Sequence, residues 1–156
     1  MADNKIVQVF SPMSGKVIPV TEVPDAMFSE KMLGDGAAII PSAGKIVSPV
    51  TGTLANVAET AHAFMLTTPE GAEILLHVGL DTVNLEGVPF TVMAEEGSEV
   101  QPGDVLAEVD LAYLKSKGIE TVSPIVVCGG PEYQLKLENT EEAAAGSQLL
   151  YTIELV

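Results

Sequence analysis

Apolar and polar residues alternate over short runs along most of the chain, and Gly, Pro or Asp residues separate these runs. A period of two places alternate side chains on opposite faces of an extended strand, so each run predicts a β-strand. The predicted strands are Ile6–Phe10, Lys16–Val20, Ala37–Pro41, Lys45–Val50, Gly52–Ala58, Ala63–Thr68, Glu73–Val78, Val105–Val109, Val122–Val127, Tyr133–Leu137 and Leu149–Leu155. The pattern therefore predicts an all-β protein.

Helical signals are few and short. Pro24–Leu33 and Asp81–Leu85 are each long enough for a helical turn or two. Asp110–Lys117 is the strongest helix prediction, because Asp110 is a favourable N-cap residue and Gly118 follows the last helical position. We expect these few helical turns to decorate the strands.

A short Ser-Pro motif occurs twice along the chain. Ser11–Val17 resembles Ser48–Leu54 at a spacing of about 37 residues, and Ser123–Ile125 is a candidate for a third, eroded copy. The copies favour a duplicated sheet motif. No linker or low-complexity segment interrupts the sequence, so we expect a single domain over residues 1–156, with residues 1–5 as a short polar tail.

Charge and composition narrow the functional classes. The chain has 22 acidic and 7 basic residues, and its formal net charge of −15 repels nucleic acid and anionic membrane surfaces. The one cysteine, Cys128, excludes an intramolecular disulfide, and its apolar neighbours favour a buried thiol. No apolar run approaches the ~20 residues of a membrane span, and no signal peptide is recognisable, so we expect a cytoplasmic protein without membrane insertion.

The two histidines, His62 and His77, are the main candidates for chemistry. Alternation along Glu73–Val78 places His77 on one face with Gly79 beside it, and Thr60 shares the strand face of His62. A hairpin centred near Glu70 pairs position i with about 139 or 140 minus i, which places the two histidines opposite or nearly opposite each other. This spacing fits a functional pair, and it also fits two unrelated half-buried histidines.

Three chemistries use such a pair. Zinc hydrolysis needs three protein ligands, for which His62, His77 and Asp81 are candidates, but the usual metallopeptidase spacing is missing. Nucleophilic catalysis lacks a GxSxG elbow, and Cys128 has no base placed beside it. Phosphoryl carriage on nitrogen needs a neutral imidazole, nearby hydrogen-bond donors and a docking surface, and it remains open.

A carrier with so few cations needs partners that bring arginines. Acidic residues would hold those arginines and apolar residues would supply contact area, although the apolar stretch also suits a helical turn that faces the core. The candidates are Asp25, Asp35, Asp81, Met27, Phe28, Met32 and Leu33.

Three segments carry a resemblance to a known family. Val23–Gly36, Glu59–Phe64 and Leu76–Gly87 resemble the docking segment, the first histidine motif and the phosphorylation-site motif of glucose-family enzyme IIA. This family belongs to the bacterial phosphoenolpyruvate-dependent sugar phosphotransferase system, and the resemblance extends from about Val7 to Val156. It implies an antiparallel β-sandwich or barrel hybrid with a duplicated motif.

The resemblance also implies a role for each site residue. His77 would accept a phosphoryl group from phospho-HPr and pass it to a cysteine of enzyme IIB. His62 would stabilise the phosphoryl group and Thr60 would orient a histidine ring. The family's two histidines also contribute to an intermolecular zinc site, although phosphoryl carriage requires neither a metal nor a cofactor.

The same resemblance implies a partner-binding surface around the histidines. Asp25 and Asp81 would pair with an arginine of HPr, inside an apolar dock. The partner-binding residues are Asp25, Phe28, Met32, Leu33, Asp35, Gly79, Asp81 and Val83. A single docking face and a high net charge lead us to expect a monomer. Ala61 stands where a polar residue is common in the family.

Three other functions compete with the carrier. A regulatory module would use the same apolar face to bind target proteins, with phosphorylation as its switch. A LytM-like zinc metallopeptidase shares a similar duplicated motif, but it predicts a His-x-His pair and a secretion signal. A lipoyl or biotinyl carrier is suggested by Glu96–Leu106, which has no lysine at a hairpin tip. The transported sugar is not readable, because its specificity would lie in membrane components.

Overall fold

A computed structural model describes residues 5–80, 85, 87–130, 132–138 and 141–155. The strands in this part of the chain are β1 (Lys5–Phe10), β2 (Gly15–Pro19), β3 (Asp35–Pro41), β4 (Lys45–Val47), β5 (Gly52–Val57), β6 (Ala63–Thr67), β7 (Glu73–His77), β8 (Phe90–Val92), β9 (Glu99–Val100), β10 (Val105–Val109), β11 (Ser123–Gly129), β12 (Tyr133–Leu137), β13 (Glu142–Ala143) and β14 (Leu149–Leu155). Every predicted strand is confirmed; most ends shift by one or two residues, and the strand predicted at Lys45–Val50 ends at Val47. The sequence pattern missed β8, β9 and β13, which are two or three residues long.

The helices are short. Helix α1 spans Ala26–Ser29, helix α2 spans Leu111–Ser116, and a 3₁₀ turn spans Val20–Glu22. The Asp110 side chain accepts a hydrogen bond from the first turn of α2, and Gly118 follows that helix with a φ of 69°, as the capping signals predict. Most of the turn predicted at residues 81–85 lies outside the described residues. No helix in the described ranges is long and apolar enough to cross a bilayer.

The strands form three antiparallel sheets. Strand order is β13-β2-β3-β11-β7-β6-β5-β9 in the large sheet, β1-β14-β12 in the second and β4-β10-β8 in the third. One face of the large sheet packs against both small sheets and forms the main core, with Phe64, Leu76, Ile125, Leu106 and Tyr151 among its buried residues. This layering confirms the predicted antiparallel β-sandwich.

The opposite face of the large sheet is partly covered by the 3₁₀ turn and α1. Their contact forms a second, smaller apolar cluster. Its buried members are Val20, Val23, Phe28, Ala38, Leu80, Val122 and Val126. Side chains alternate along β7, so Ile74 and Leu76 face the main core whereas Leu75 and His77 face the side of the smaller cluster. The fold thereby places His77 on the outer face.

The duplicated motif is visible as a reciprocal pair of backbone hydrogen bonds. Phe10 N–H donates to the Pro49 carbonyl at 2.8 Å, and Val47 N–H donates to the Pro12 carbonyl at 2.9 Å. The two donors and the two acceptors are each separated by the repeat spacing, so each copy of the motif binds the other in the same way.

The serines of the motif show where the repeat ends. The hydroxyls of Ser11 and Ser48 are buried, and each donates to the carbonyl two residues later in the sequence. Ser123 is equally buried, but its hydroxyl donates to the Thr121 carbonyl, two residues earlier. Ser123–Ile125 is therefore not a structural copy of the other two segments.

Candidate functional site

The His77 ring is oriented by a backbone carbonyl. His77 ends β7, and the next turn contains Gly79 with a φ of 72°, a conformation that glycine adopts without steric cost. His77 Nδ1 lies 2.7 Å from the Gly79 carbonyl oxygen. Because a carbonyl oxygen only accepts, Nδ1 of the neutral ring carries the proton and Nε2 keeps the lone pair. Gly79 itself is buried, so it acts through its backbone and does not present the partner-binding surface predicted for it.

Ser123 forms a hydrogen bond with this turn. Gly79 N–H donates to Ser123 Oγ at 3.1 Å, and the Ser123 hydroxyl donates to the Thr121 carbonyl at 2.9 Å. Both hydrogen-bonding functions of the hydroxyl are thus used inside the protein. Sequence analysis missed this residue, because only the tertiary fold brings Ser123 beside Gly79.

Phe28 packs beside His77 and is not exposed. The two ring centroids lie 5.4 Å apart with an interplanar angle of 58°. The side chain is 3% exposed within the smaller apolar cluster, as the alternative of a helical turn that faces the core predicts, so Phe28 offers a partner little of the contact area expected of it. The reason is the direction of α1, which turns Phe28 inward and leaves Met27 44% exposed.

The strand register alone would separate the two histidines. In the β6–β7 pair, Ala63 lies opposite His77, so the paired positions sum to 140. The His62 carbonyl accepts a hydrogen bond from Val78 N–H at 2.7 Å. Regular pairing with Val78 would place the His62 side chain on the opposite sheet face from His77.

A left-handed residue before β6 brings the rings together. Ala61 has a φ of 58°, and its N–H closes a tight turn by donating to the Ala58 carbonyl at 2.7 Å. His62 therefore lies in the turn, and its ring centroid is 5.0 Å from that of His77, edge to face at 73°. Thr60 also lies in this turn, so its predicted place on a strand face is wrong. Its hydroxyl nevertheless hydrogen-bonds His62 Nδ1, as expected of a residue that orients a ring.

The surroundings of His62 favour its neutral form. Burial lowers the pKa of His62 below its ordinary value, and the neighbouring His77 charge lowers it further. A neutral imidazole donates from one nitrogen and accepts at the other. The pair thus combines one ring with a defined lone pair and a second, neutral ring beside it.

Asp25 serves the local structure of the docking segment. Its carboxylate caps α1 by accepting a hydrogen bond from Met27 N–H at 2.9 Å. The side chain is half-buried. The cap leaves further carboxylate lone pairs for an external cation, since an ionised carboxylate has about four acceptor sites.

Asp35 is not brought to the histidines. It starts β3 opposite Val127 of β11, which in turn lies opposite Ile74 of β7. Ile74 is three residues before His77, a displacement of about 10 Å along the strand. The Asp35 carboxylate is also 3.5 Å from the Lys31 ammonium group, which forms an ion pair with it. The structure therefore places Asp35 away from the histidines, and its part in partner binding stays a prediction.

Met32 and Leu33 line a separate groove. Met32 is 66% exposed and Leu33 is half-buried, and both face an open groove of about 610 Å³ that Cys128 and Tyr133 also line. They extend the apolar surface away from the histidines. Of the remaining predicted contacts, Asp81 and Val83 lie outside the described residues.

The described part of the site contains two candidate zinc ligands, His62 and His77. The described residues contain no cluster of three or more His, Cys, Asp or Glu side chains that would hold a metal ion. Structural zinc sites use four ligands and catalytic ones three, whereas His62 and His77 supply two. Asp81, the third candidate ligand, lies outside the described residues.

Comparison with known proteins now identifies the family. The model of the phosphoenolpyruvate-dependent sugar phosphotransferase system, EIIA 1, matches residues 7–133. The chain belongs to this family. It is 40% identical over 154 residues to the glucose-specific EIIA component of Haemophilus influenzae, a match that covers 97% of this chain and 93% of that protein.

Two further relatives agree with this enzyme IIA assignment. The glucose-specific EIICBA component of Streptococcus pneumoniae is 45% identical over 139 residues, which cover 88% of this chain and 19% of that protein. The solved structure of glucose permease IIA from Mycoplasma capricolum superposes with a TM-score of 0.88 at 37% identity, covering 97% of this chain and 99% of that one. Family membership favours a phosphotransferase component over the metallopeptidase and lipoyl-carrier alternatives.

Proposed function

We propose that this enzyme IIA accepts a phosphoryl group from phospho-HPr on Nε2 of His77 and transfers it to a cysteine of enzyme IIB in the cytoplasm. The observation that carries this proposal is the contact between His77 Nδ1 and the Gly79 carbonyl. It supports a neutral ring with the proton on Nδ1 and the lone pair on Nε2 before any partner binds. No rotation or proton transfer within the ring is then needed for attack.

Each transfer is a displacement at phosphorus. The Nε2 lone pair forms a nitrogen–phosphorus bond while the bond between phosphorus and the HPr atom breaks, and that atom leaves with the bonding electrons. In the second transfer, a thiolate of enzyme IIB forms a sulfur–phosphorus bond, and the electron pair returns to Nε2. The proton stays on Nδ1 throughout, because the Gly79 carbonyl accepts a hydrogen bond from Nδ1–H both before and after phosphorylation.

His62 would stabilise the charge on the transferred group. If the Thr60 hydroxyl donates to His62 Nδ1, the neutral ring carries its proton on Nε2 and directs a donor toward the phosphoryl oxygens. The lowered pKa of His62 supports this neutral form.

The partners would bring the complementary charge. The formal net charge of −15 favours a donor and an acceptor with basic docking surfaces. Asp25 supplies a carboxylate, and the exposed Met27 supplies apolar contact area next to it. Because one relative is named a glucose-specific EIICBA component, we propose enzyme IIB of a sugar permease as the acceptor and glucose as the first sugar to assay.

Phosphorylation by a reconstituted donor chain tests the proposal. The protein is incubated with phosphoenolpyruvate, enzyme I and HPr, and its mass is followed for the wild type, His77→Ala and His62→Gln. We expect one acid-labile, base-stable phosphoryl group on the wild type and none on His77→Ala. His62→Gln should accept the group but pass it to enzyme IIB more slowly. An unmodified wild type, with HPr shown to be active on another acceptor, would contradict the proposal.

A further inference from the structure

Three serines precede a proline in this chain, and all three are fully buried. Ser11, Ser48 and Ser123 each donate a hydroxyl hydrogen to a backbone carbonyl at 2.6 to 2.9 Å. The first two belong to the duplicated motif and serve its turns. Only Ser123 also accepts a hydrogen bond from a distant segment, the N–H of Gly79. This contact with Gly79, which the other two buried serines lack, points to a separate task for Ser123.

The chain of hydrogen bonds from Ser123 has a single direction. The one hydroxyl hydrogen is donated to the Thr121 carbonyl, so the Ser123 oxygen faces Gly79 as an acceptor. The Gly79 carbonyl then accepts from His77 Nδ1. Every donor and acceptor along this path is fixed by chemistry, except the proton on the imidazole. The Gly79 carbonyl therefore specifies which ring nitrogen is protonated, and Ser123 holds the residue that carries this carbonyl.

The same segment clamps both peptide planes at Gly79. Ser123 holds the plane that contains the Gly79 N–H, and the Glu120 carbonyl accepts from Leu80 N–H at 3.0 Å, which holds the plane that contains the Gly79 carbonyl. A glycine at a φ of 72° has no Cβ to restrict its rotation, so these external contacts set its orientation. Loss of the Ser123 contact releases the plane before Gly79, which leaves the direction of the Gly79 carbonyl with one restraint in place of two.

We propose that Ser123 is a positioning residue that fixes the tautomer, and so the reactive nitrogen, of His77 through the Gly79 backbone. It acts through Gly79 and makes no contact with the transferred group. The kinetic part of this inference rests on the proposed function, whereas the tautomer assignment is a property of the protein without partners. The two are therefore tested by separate measurements.

Nitrogen-15 NMR of the imidazoles reports the tautomer directly. We expect Nδ1 of His77 to be protonated in the neutral wild-type ring and the Nε2–H form to become populated in Ser123→Ala. Ser11→Ala is the matched control, because it removes an equally buried hydroxyl outside the site and should leave the His77 signals unchanged. Ser123→Thr restores the hydroxyl and should restore the wild-type tautomer.

The rate of phosphoryl transfer from phospho-HPr is the second measurement. Loss of the hydrogen bond that orders Gly79 should slow transfer by about tenfold in Ser123→Ala. Ser11→Ala should stay within about twofold of the wild type, since it lies outside this path. If Ser123→Ala does not fold, Ser123→Cys replaces it, because a thiol is a weak hydrogen-bond acceptor.

Two outcomes would overturn the inference. One is a folded Ser123→Ala protein with an unchanged Nδ1–H tautomer. Another is a Ser123→Ala rate that matches that of Ser11→Ala. A wild type that shows the Nδ1–H tautomer but accepts no phosphoryl group would contradict the proposed function and leave the positioning role intact.

Discussion

Ala61 provides a quantitative test of how the histidine pair is assembled. This residue has a φ of 58°, in the region where a Cβ crowds the following carbonyl, and its side chain is 8% exposed. The left-handed conformation costs a residue with a Cβ about 1–2 kcal/mol. Replacement of Ala61 by glycine removes that cost without altering the turn that places His62 beside His77.

Two effects of the substitution oppose this relief of strain. Glycine increases the conformational entropy of the unfolded chain, which lowers the free energy of unfolding by about 0.4–1 kcal/mol. Loss of a buried methyl group lowers it by a further ~0.8 kcal/mol. These losses nearly cancel the relief of strain, so Ala61→Gly should change the free energy of unfolding by less than about 1 kcal/mol in either direction.

Ala107→Gly is the matched control for this calculation. Ala107 is fully buried in β10 and is paired on both sides, and it is absent from the residues with positive φ. It offers no strain to relieve, so we expect a loss of about 1.2–1.8 kcal/mol, plus any penalty for the cavity. Urea unfolding, monitored by circular dichroism, measures both variants against the wild type.

The difference between the two variants is the decisive quantity. It should be about 1–2 kcal/mol in favour of Ala61→Gly, the cost of the left-handed conformation. Equal losses would show that Ala61 carries no strain and would refute the reasoning. Ala61→Val should be strongly destabilising, because a β-branched residue is an outlier at positive φ, and the His62 ring signals should shift with it.

Two further predictions concern the neighbours of His77. Phe28→Ala removes a ring that is 3% exposed and should lower the free energy of unfolding by about 3–5 kcal/mol in chemical denaturation. His62→Gln should flatten the pH dependence of the free energy of unfolding. The pKa of His62 is lowered in the folded protein, so below the ordinary value of 6.5 the unfolded chain binds more protons than the folded one. The free energy of unfolding of the wild type therefore decreases as the pH is lowered, and that of His62→Gln should decrease less. Unfolding of both proteins across that pH range measures the difference.

Each of these predictions has a control. Met27→Ala, at the exposed neighbour of Phe28, should change the free energy of unfolding by less than about 0.5 kcal/mol. A Phe28→Ala loss of similar size would show that the ring is not packed as described. Identical pH slopes for the wild type and His62→Gln would mean that the pKa of His62 is the same in the folded and unfolded states.

Local sequence was sufficient to predict most of the secondary structure. The period of two located the longer strands, and the Asp110 and Gly118 signals located helix α2, because strand alternation and helix caps depend on neighbouring residues. Strands β8, β9 and β13 were missed because two or three residues do not show a period. Their formation depends on the strands beside them.

Local sequence also identified the two histidines, but it did not predict the positions of their rings relative to each other. The hairpin calculation placed His62 and His77 opposite or nearly so, whereas the register is offset by one residue. A shift of one residue in strand register moves a side chain to the opposite face of the sheet, so an error of one residue decides whether the two rings meet. The left-handed Ala61 corrects the offset, and no strand period predicts a positive φ at an alanine.

The sequence by itself therefore determined the all-β class, the family and the two imidazoles. Only the tertiary structure decided that Phe28 packs inward, that Asp35 lies away from the site and that Ser123 supports Gly79. The physical reason is the range of the interactions involved. Alternation and capping act over a few residues, whereas Ser123 and Gly79 are 44 residues apart and meet only because β11 lies next to β7.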